Sequence, residues 1–123
     1  MDYYKLSDEP KRIATLRPAT RPIIEQIAKG TYHPKIRYIV LFGSEARGEA
    51  TLTSDIDIAL ISDEPLTRSE RLDFTHQFDE IHYPQINVIN TRTHTPQTQK
   101  CMDVNYHIKR EGLLIYERDA LLH

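Results

Sequence analysis

Residues 36 to 60 read Ile36-Arg37-Tyr38-Ile39-Val40-Leu41-Phe42-Gly43-Ser44-Glu45-Ala46-Arg47-Gly48-Glu49-Ala50-Thr51-Leu52-Thr53-Ser54-Asp55-Ile56-Asp57-Ile58-Ala59-Leu60. An apolar run stops at a Gly-Ser turn, and a second apolar run opens on two carboxylates one residue apart. The first run, 36 to 42, is rich in β-branched and aromatic residues and ends at Gly43, as a buried strand does. Gly43 lacks a Cβ, so the backbone can turn sharply there and approach a ligand. If Glu45, Ala46 and Arg47 continue as a short helix, the Ser44 hydroxyl and the amides around it form a donor cluster suited to phosphate oxygens. Arg47 adds a charged fork.

Asp55 and Asp57 stand at i and i+2 of a strand expected from about 55 to 62, so both carboxylates project from one face. Two adjacent anions repel unless something positive lies between them. Mg²⁺ suits that place, because it takes a few carboxylate oxygens together with phosphate oxygens and water. An isolated Asp-x-Asp would read as a turn at Ser54-Asp55 followed by a solvated strand residue. Behind a Gly-Ser turn at a strand end, the metal reading is the stronger one.

Taken together, Gly43-Ser44, Arg47-Gly48 and Ser54-Asp55-Ile56-Asp57 resemble the Gly-Ser-x-x-x-Gly…Ser-Asp-x-Asp signature of the polymerase-beta-like nucleotidyltransferase superfamily. The short length makes the chain similar to the minimal nucleotidyltransferases, the MNT group, many of them encoded beside HEPN-domain ribonucleases as antitoxins. The resemblance spans approximately residues 20 to 117 and closes in Glu111-Gly112-Leu113-Leu114-Ile115-Tyr116-Glu117. It implies Asp55 and Asp57 as catalytic metal ligands and Gly43, Ser44, Arg47 and Ser54 as nucleotide-binding residues. It further implies Mg²⁺, with ATP or another nucleoside triphosphate as substrate.

One position departs from the family pattern. A third carboxylate belongs on a later strand, and the corresponding stretch here is Ile86-Asn87-Val88-Ile89-Asn90, which places Asn87 where that Asp is expected. An amide offers a cation one neutral oxygen but supplies no charge and takes no proton. Where two metals act, one rides with the nucleotide phosphates and the other activates the attacking hydroxyl. Asp55 and Asp57 suffice for the first ion, and Asn87 weakens the second. Asp79 or Glu80 would be substitutes, although both fall on an expected helix where a solvated face is the plainer reading.

Three functions follow from the resemblance. The first is transfer of a nucleoside monophosphate, AMP from ATP, to a partner protein such as a HEPN toxin, with this chain as antitoxin. The second is a catalytically impaired nucleotide-binding or partner-capping module. The third is a nucleotidyltransferase acting on a small molecule, for which a homo-oligomer, a dimer, could build a cleft between protomers. Larger family members carry a helical domain for the acceptor, and 123 residues leave no room for one.

Composition fits one small domain, with residues 1–19 as an N-terminal arm and 20–123 as the nucleotidyltransferase-like domain. No apolar run is long enough to span a bilayer and no secretory N-terminus is present, so a cytoplasmic location without membrane contact is expected. A net charge of −2 gives no bulk attraction for nucleic acid. Lys11, Arg12, Arg17 and Arg21 nevertheless make a local basic cluster, either a solvated arm or a contact for RNA or an acidic partner. Cys101, the single cysteine, rules out an internal disulfide and falls on an apolar stripe with Val104 and Ile108. The 6 histidines form no ligand pair on a helix face, and His76 with Asp79 reads as a surface pair.

Outward from the central stretch, the pattern predicts an α/β fold: a small mixed sheet with helices packed on one face. Helices are expected at 21–29, with Thr20 as cap and Gly30 as stop, at about 68–82 with Leu72, Phe74, Phe78 and Ile81 inward, and from Thr95-Pro96 to about Arg110. A short helical turn is expected around 8–16. Strands are expected at 36–42, 55–62 and 86–90, and Leu113 to Tyr116 reads as a short edge strand or a final packing segment. The very short helix between the first two strands implies a hairpin-like antiparallel pair.

Overall fold

The two apolar runs flanking the Gly-Ser turn become neighbouring strands at the heart of the fold. The computed structural model describes residues 4–5, 16–92, 108 and 111–118. In chain order its elements are β1 (Tyr4–Lys5), α1 (Arg21–Lys29), β2 (Ile36–Phe42), α2 (Gly43–Arg47), β3 (Ile56–Ser62), α3 (Arg68–Thr75), a 3-10 turn over His76–Phe78, β4 (Ile86–Arg92) and β5 (Leu113–Glu117). The strands form one mixed sheet in the order β1-β5-β2-β3-β4.

β2 and β3 are antiparallel, as the short intervening helix implied, and Phe42 lies opposite Asp57. β3 and β4 are parallel, with Asp57 opposite Asn87. Parallel neighbours need a crossover, which α3 supplies. β5 runs antiparallel to β2 and carries β1 on its outer side. Leu113–Glu117 is therefore an inner strand and not an edge. Leu113, Leu114 and Ile115 are all buried, as a strand covered on both faces requires.

The alternation of the strands sorts the core into two layers. On one face Ile39, Leu41, Ile56, Ile58 and Leu60 meet Ile23, Ile24 and Ile27 of α1 and Phe74 and Phe78 from the α3 region. On the other, Val40, Ala59, Ile61 and Leu114 gather around Ile108. This is the mixed-sheet α/β architecture that the pattern predicts. No helix among the described residues is long and apolar enough to cross a membrane.

Several local expectations change. Thr20 occupies the cap position of α1, but its side chain makes no cap hydrogen bond and its hydroxyl donates to the Glu45 carboxylate. α3 ends at Thr75 and tightens into the 3-10 turn, short of residue 82. There the Thr75 hydroxyl donates to the Leu72 carbonyl (3.3 Å) and the Gln77 amide to the Phe74 carbonyl (2.9 Å), side chains competing for groups the helix would use. Leu72 is not part of the inward stripe: it is 41% exposed, while Phe74 and Phe78 are buried. Thr67 and Glu70 form a reciprocal capping box that starts α3. The helix expected from Pro96, with Cys101 and Val104, lies outside the described residues except for Ile108 near its end, and so does most of the turn at 8–16.

Candidate active site

The Gly-Ser turn and the carboxylate pair come together because β2 ends where β3 begins. Gly43 has φ +78°, a left-handed conformation that side chains disfavour. A Cβ on Gly43 would also collide with Oδ2 of Asp57. Glycine is thus required twice, once by the turn and once by the carboxylate behind it. α2 starts at this turn, carries Ser44 half-buried in its first turn, and closes at Gly48, where the Gly48 N–H donates to the carbonyls of Glu45 and Ser44.

Asn87 completes the cluster from β4. Its Nδ2 donates to Asp55 Oδ2 at 3.0 Å and to Asp57 Oδ1 at 3.4 Å. Two carboxylates thus converge on one amide group. Partial burial raises the Asp57 carboxyl above its ordinary range; the Asn87 hydrogen bond opposes this, the Asp55 charge adds to it, and the Arg47 charge pulls it down. A site that strains the charge of its own carboxylate in this way is suited to a cation. Half a turn of the Asn87 amide would bring its Oδ1, which now accepts from Gln85 (3.3 Å), to the same point. The donor set of Asp55, Asp57 and the Asn87 oxygen therefore fits one hard divalent ion. No cluster of three or more His, Cys, Asp or Glu suited to a metal occurs among the described residues.

The remaining sequence-derived residues fall into different surroundings. Arg47 pairs with Glu49 (2.6 Å) and Glu111 (3.0 Å), so its fork is engaged by carboxylates at the rim. The Ser54 hydroxyl accepts from the Thr51 N–H (2.9 Å) and serves the loop before Asp55. Asp79 pairs with the exposed His76 (2.9 Å), as the spacing suggested, and Glu80 is exposed.

A family model described as Polymerase beta, Nucleotidyltransferase matches residues 23–121. The chain belongs to this nucleotidyltransferase family. Its fold is similar to a toxin–antitoxin structure with AMP-PNP, at 17% identity and a TM-score of 0.53, covering 85% of this chain and 76% of that one. It is likewise similar to a mutant of the MntA-HpeT toxin–antitoxin, at 15% identity and a TM-score of 0.52, with the same shares covered. No curated protein sequence matches the chain.

In this nucleotidyltransferase domain, one buried group escaped the sequence reading altogether. Glu45, inside the Gly-Ser motif, is fully buried. It accepts from the Arg17 backbone N–H (3.0 Å), from Arg17 Nε (2.7 Å) and from the Thr20 hydroxyl. Arg17 is therefore an ion-pair partner of the motif and not part of a free basic arm. A partner 28 residues away leaves no periodic trace, and a charge in so short a helix reads by default as solvated.

Proposed function

We propose that this chain binds a nucleoside triphosphate with Mg²⁺ and transfers its nucleoside monophosphate, AMP from ATP, to a partner protein of the HEPN type, acting as the antitoxin of the pair. The observation that carries the reading is the convergence of Gly43, Asp55, Asp57 and Asn87 at the junction of β2, β3 and β4. Mg²⁺ held by Asp55 and Asp57 would neutralise phosphate charge. The Ser44 hydroxyl and the amides opening α2 hold phosphate oxygens, with Gly43 admitting the close approach. The acceptor hydroxyl gives its proton to water, its oxygen bonds to the α-phosphorus as the bond to pyrophosphate breaks, and fixed positioning and charge complementarity supply the rate. The two similar folds being toxin–antitoxin structures, one with AMP-PNP, supports the choice of nucleotide and partner.

The test is incubation of the chain with ATP labelled at the α-phosphorus and a small all-helical HEPN partner. Magnesium-dependent label on the partner, absent with Asp57→Ala, is expected. A second reading is favoured by Asn87, which brings no charge to the third ligand position. In it the domain binds nucleotide and caps its partner without turnover. A stable complex that binds nucleotide but transfers no label would establish that reading over the first.

A further inference from the structure

Arg17 touches both halves of the bipartite motif from outside it. Its Nε and backbone N–H hold Glu45 of the Gly43–Gly48 half, and its Nη1 donates to the Thr51 carbonyl at 2.8 Å. Thr51 in turn forms the turn that leads into Asp55, through Ser54 N to the Thr51 carbonyl (3.1 Å) and the Thr51 N–H to the Ser54 hydroxyl (2.9 Å). The loop between the two halves has little apolar anchoring of its own, since Leu52 is 82% exposed. The β2–β3 ladder fixes Asp57 beside Gly43, whereas Asp55 precedes β3, so one guanidinium ties α2 to the turn that delivers Asp55.

The energetics point away from a role in stability alone. A buried ion pair is weak evidence for stability, because desolvation offsets much of the attraction. Arg17 Nη2 is also buried without a hydrogen-bond partner among the described residues, a further cost. What the arrangement secures is geometry: a planar fork with fixed angles between its donors, which a lysine cannot reproduce.

We infer that Arg17 is a positioning residue that clasps α2 to the Thr51–Ser54 turn and so sets the spacing between Gly43-Ser44 and Asp55 for nucleotide and metal. This rests on the reading of that site as a nucleotide-Mg²⁺ site. Arg17→Lys is the informative variant, since the ammonium keeps a charge beside Glu45 but cannot bond Thr51 in the same geometry. Amide hydrogen exchange without nucleotide should be faster across residues 49–54 and unchanged in β3, with the melting temperature lower by about 4 °C, the scale of one lost hydrogen bond in a domain of this size. Magnesium-ATP affinity should fall about tenfold, the scale of one lost charge-assisted hydrogen bond. Loop exchange indifferent to Arg17→Lys would overturn the clasp, whatever the wild type binds. A loosened loop with unchanged affinity would overturn its positioning role. A wild type that binds no nucleotide would remove the site itself and the inference with it, an outcome distinct from the loop result.

Discussion

Asn87 Nδ2 lies 3.0 Å from Asp55 Oδ2, so a neutral amide on β4 bonds a carboxylate at the mouth of β3. The amide relieves the repulsion between Asp55 and Asp57 without a metal. Asn87→Asp reverses that. The variant should melt below the wild type in the absence of divalent cation, recover with Mg²⁺, and bind Mn²⁺ about tenfold more tightly, as one added charged ligand would give. Transfer activity should rise. Equal metal affinity in the two proteins would show that position 87 does not face the ion.

Asp57 gives a pH test. Its carboxyl is raised above 3.8, chiefly by burial, so folding favours its protonated form. Its contribution to stability is therefore fully present below the unfolded value and is lost as pH rises through the folded one. Without metal, Asp57→Asn should melt above the wild type at neutral pH, with the gap closing as pH falls below 3.8. Adding Mg²⁺ and nucleotide should stabilise the wild type alone. A variant less stable at neutral pH would contradict this assignment.

Gly43→Ala places a Cβ at φ +78° and against the Asp57 carboxylate. The left-handed backbone alone costs about 1–2 kcal/mol, and the clash adds to it. Urea denaturation should show a loss of at least that size, with nucleotide affinity lost as well. Unchanged stability would mean the turn is not held as described.

Glu70 offers a control remote from the site. The Thr67 backbone N–H first, then Lys35 and more weakly His33, hold its carboxyl down from 4.5 to about 2. Its contribution is present above the unfolded value and is lost as pH falls towards the folded one. Glu70→Gln should thus be less stable than the wild type at neutral pH, and urea midpoints should converge as pH falls through 4.5 towards about 2. Nucleotide binding should not change.

What was legible in the sequence was whatever repeats locally. The apolar runs of β2 and β3, the stop at Gly43, and Asp55 with Asp57 on one face all follow from periods of two and from glycine chemistry. The resemblance put Asn87 at the position of a third metal-site carboxylate, and the structure pairs Asn87 with Asp57 in the parallel register of β3 and β4. What was not legible depends on contacts across the chain. The Arg17–Glu45 pair, the Thr20 hydroxyl turned from its helix to Glu45, and β5 lying between β1 and β2 are tertiary choices. The early end of α3 reflects side chains of Thr75 and Gln77 competing for backbone carbonyls, which apolar spacing does not encode.

If Gly43, Ser44, Asp55 and Asp57 form one nucleotide-Mg²⁺ site, nucleotide binding requires both the metal and the Asp57 carboxylate. Isothermal titration of ATP and a non-hydrolysable analogue, with and without Mg²⁺, into the wild type and Asp57→Ala measures this. Magnesium-dependent binding by the wild type, lost in the variant, is the predicted result. Absence of binding at millimolar nucleotide, or binding that survives Asp57→Ala unchanged, would contradict it.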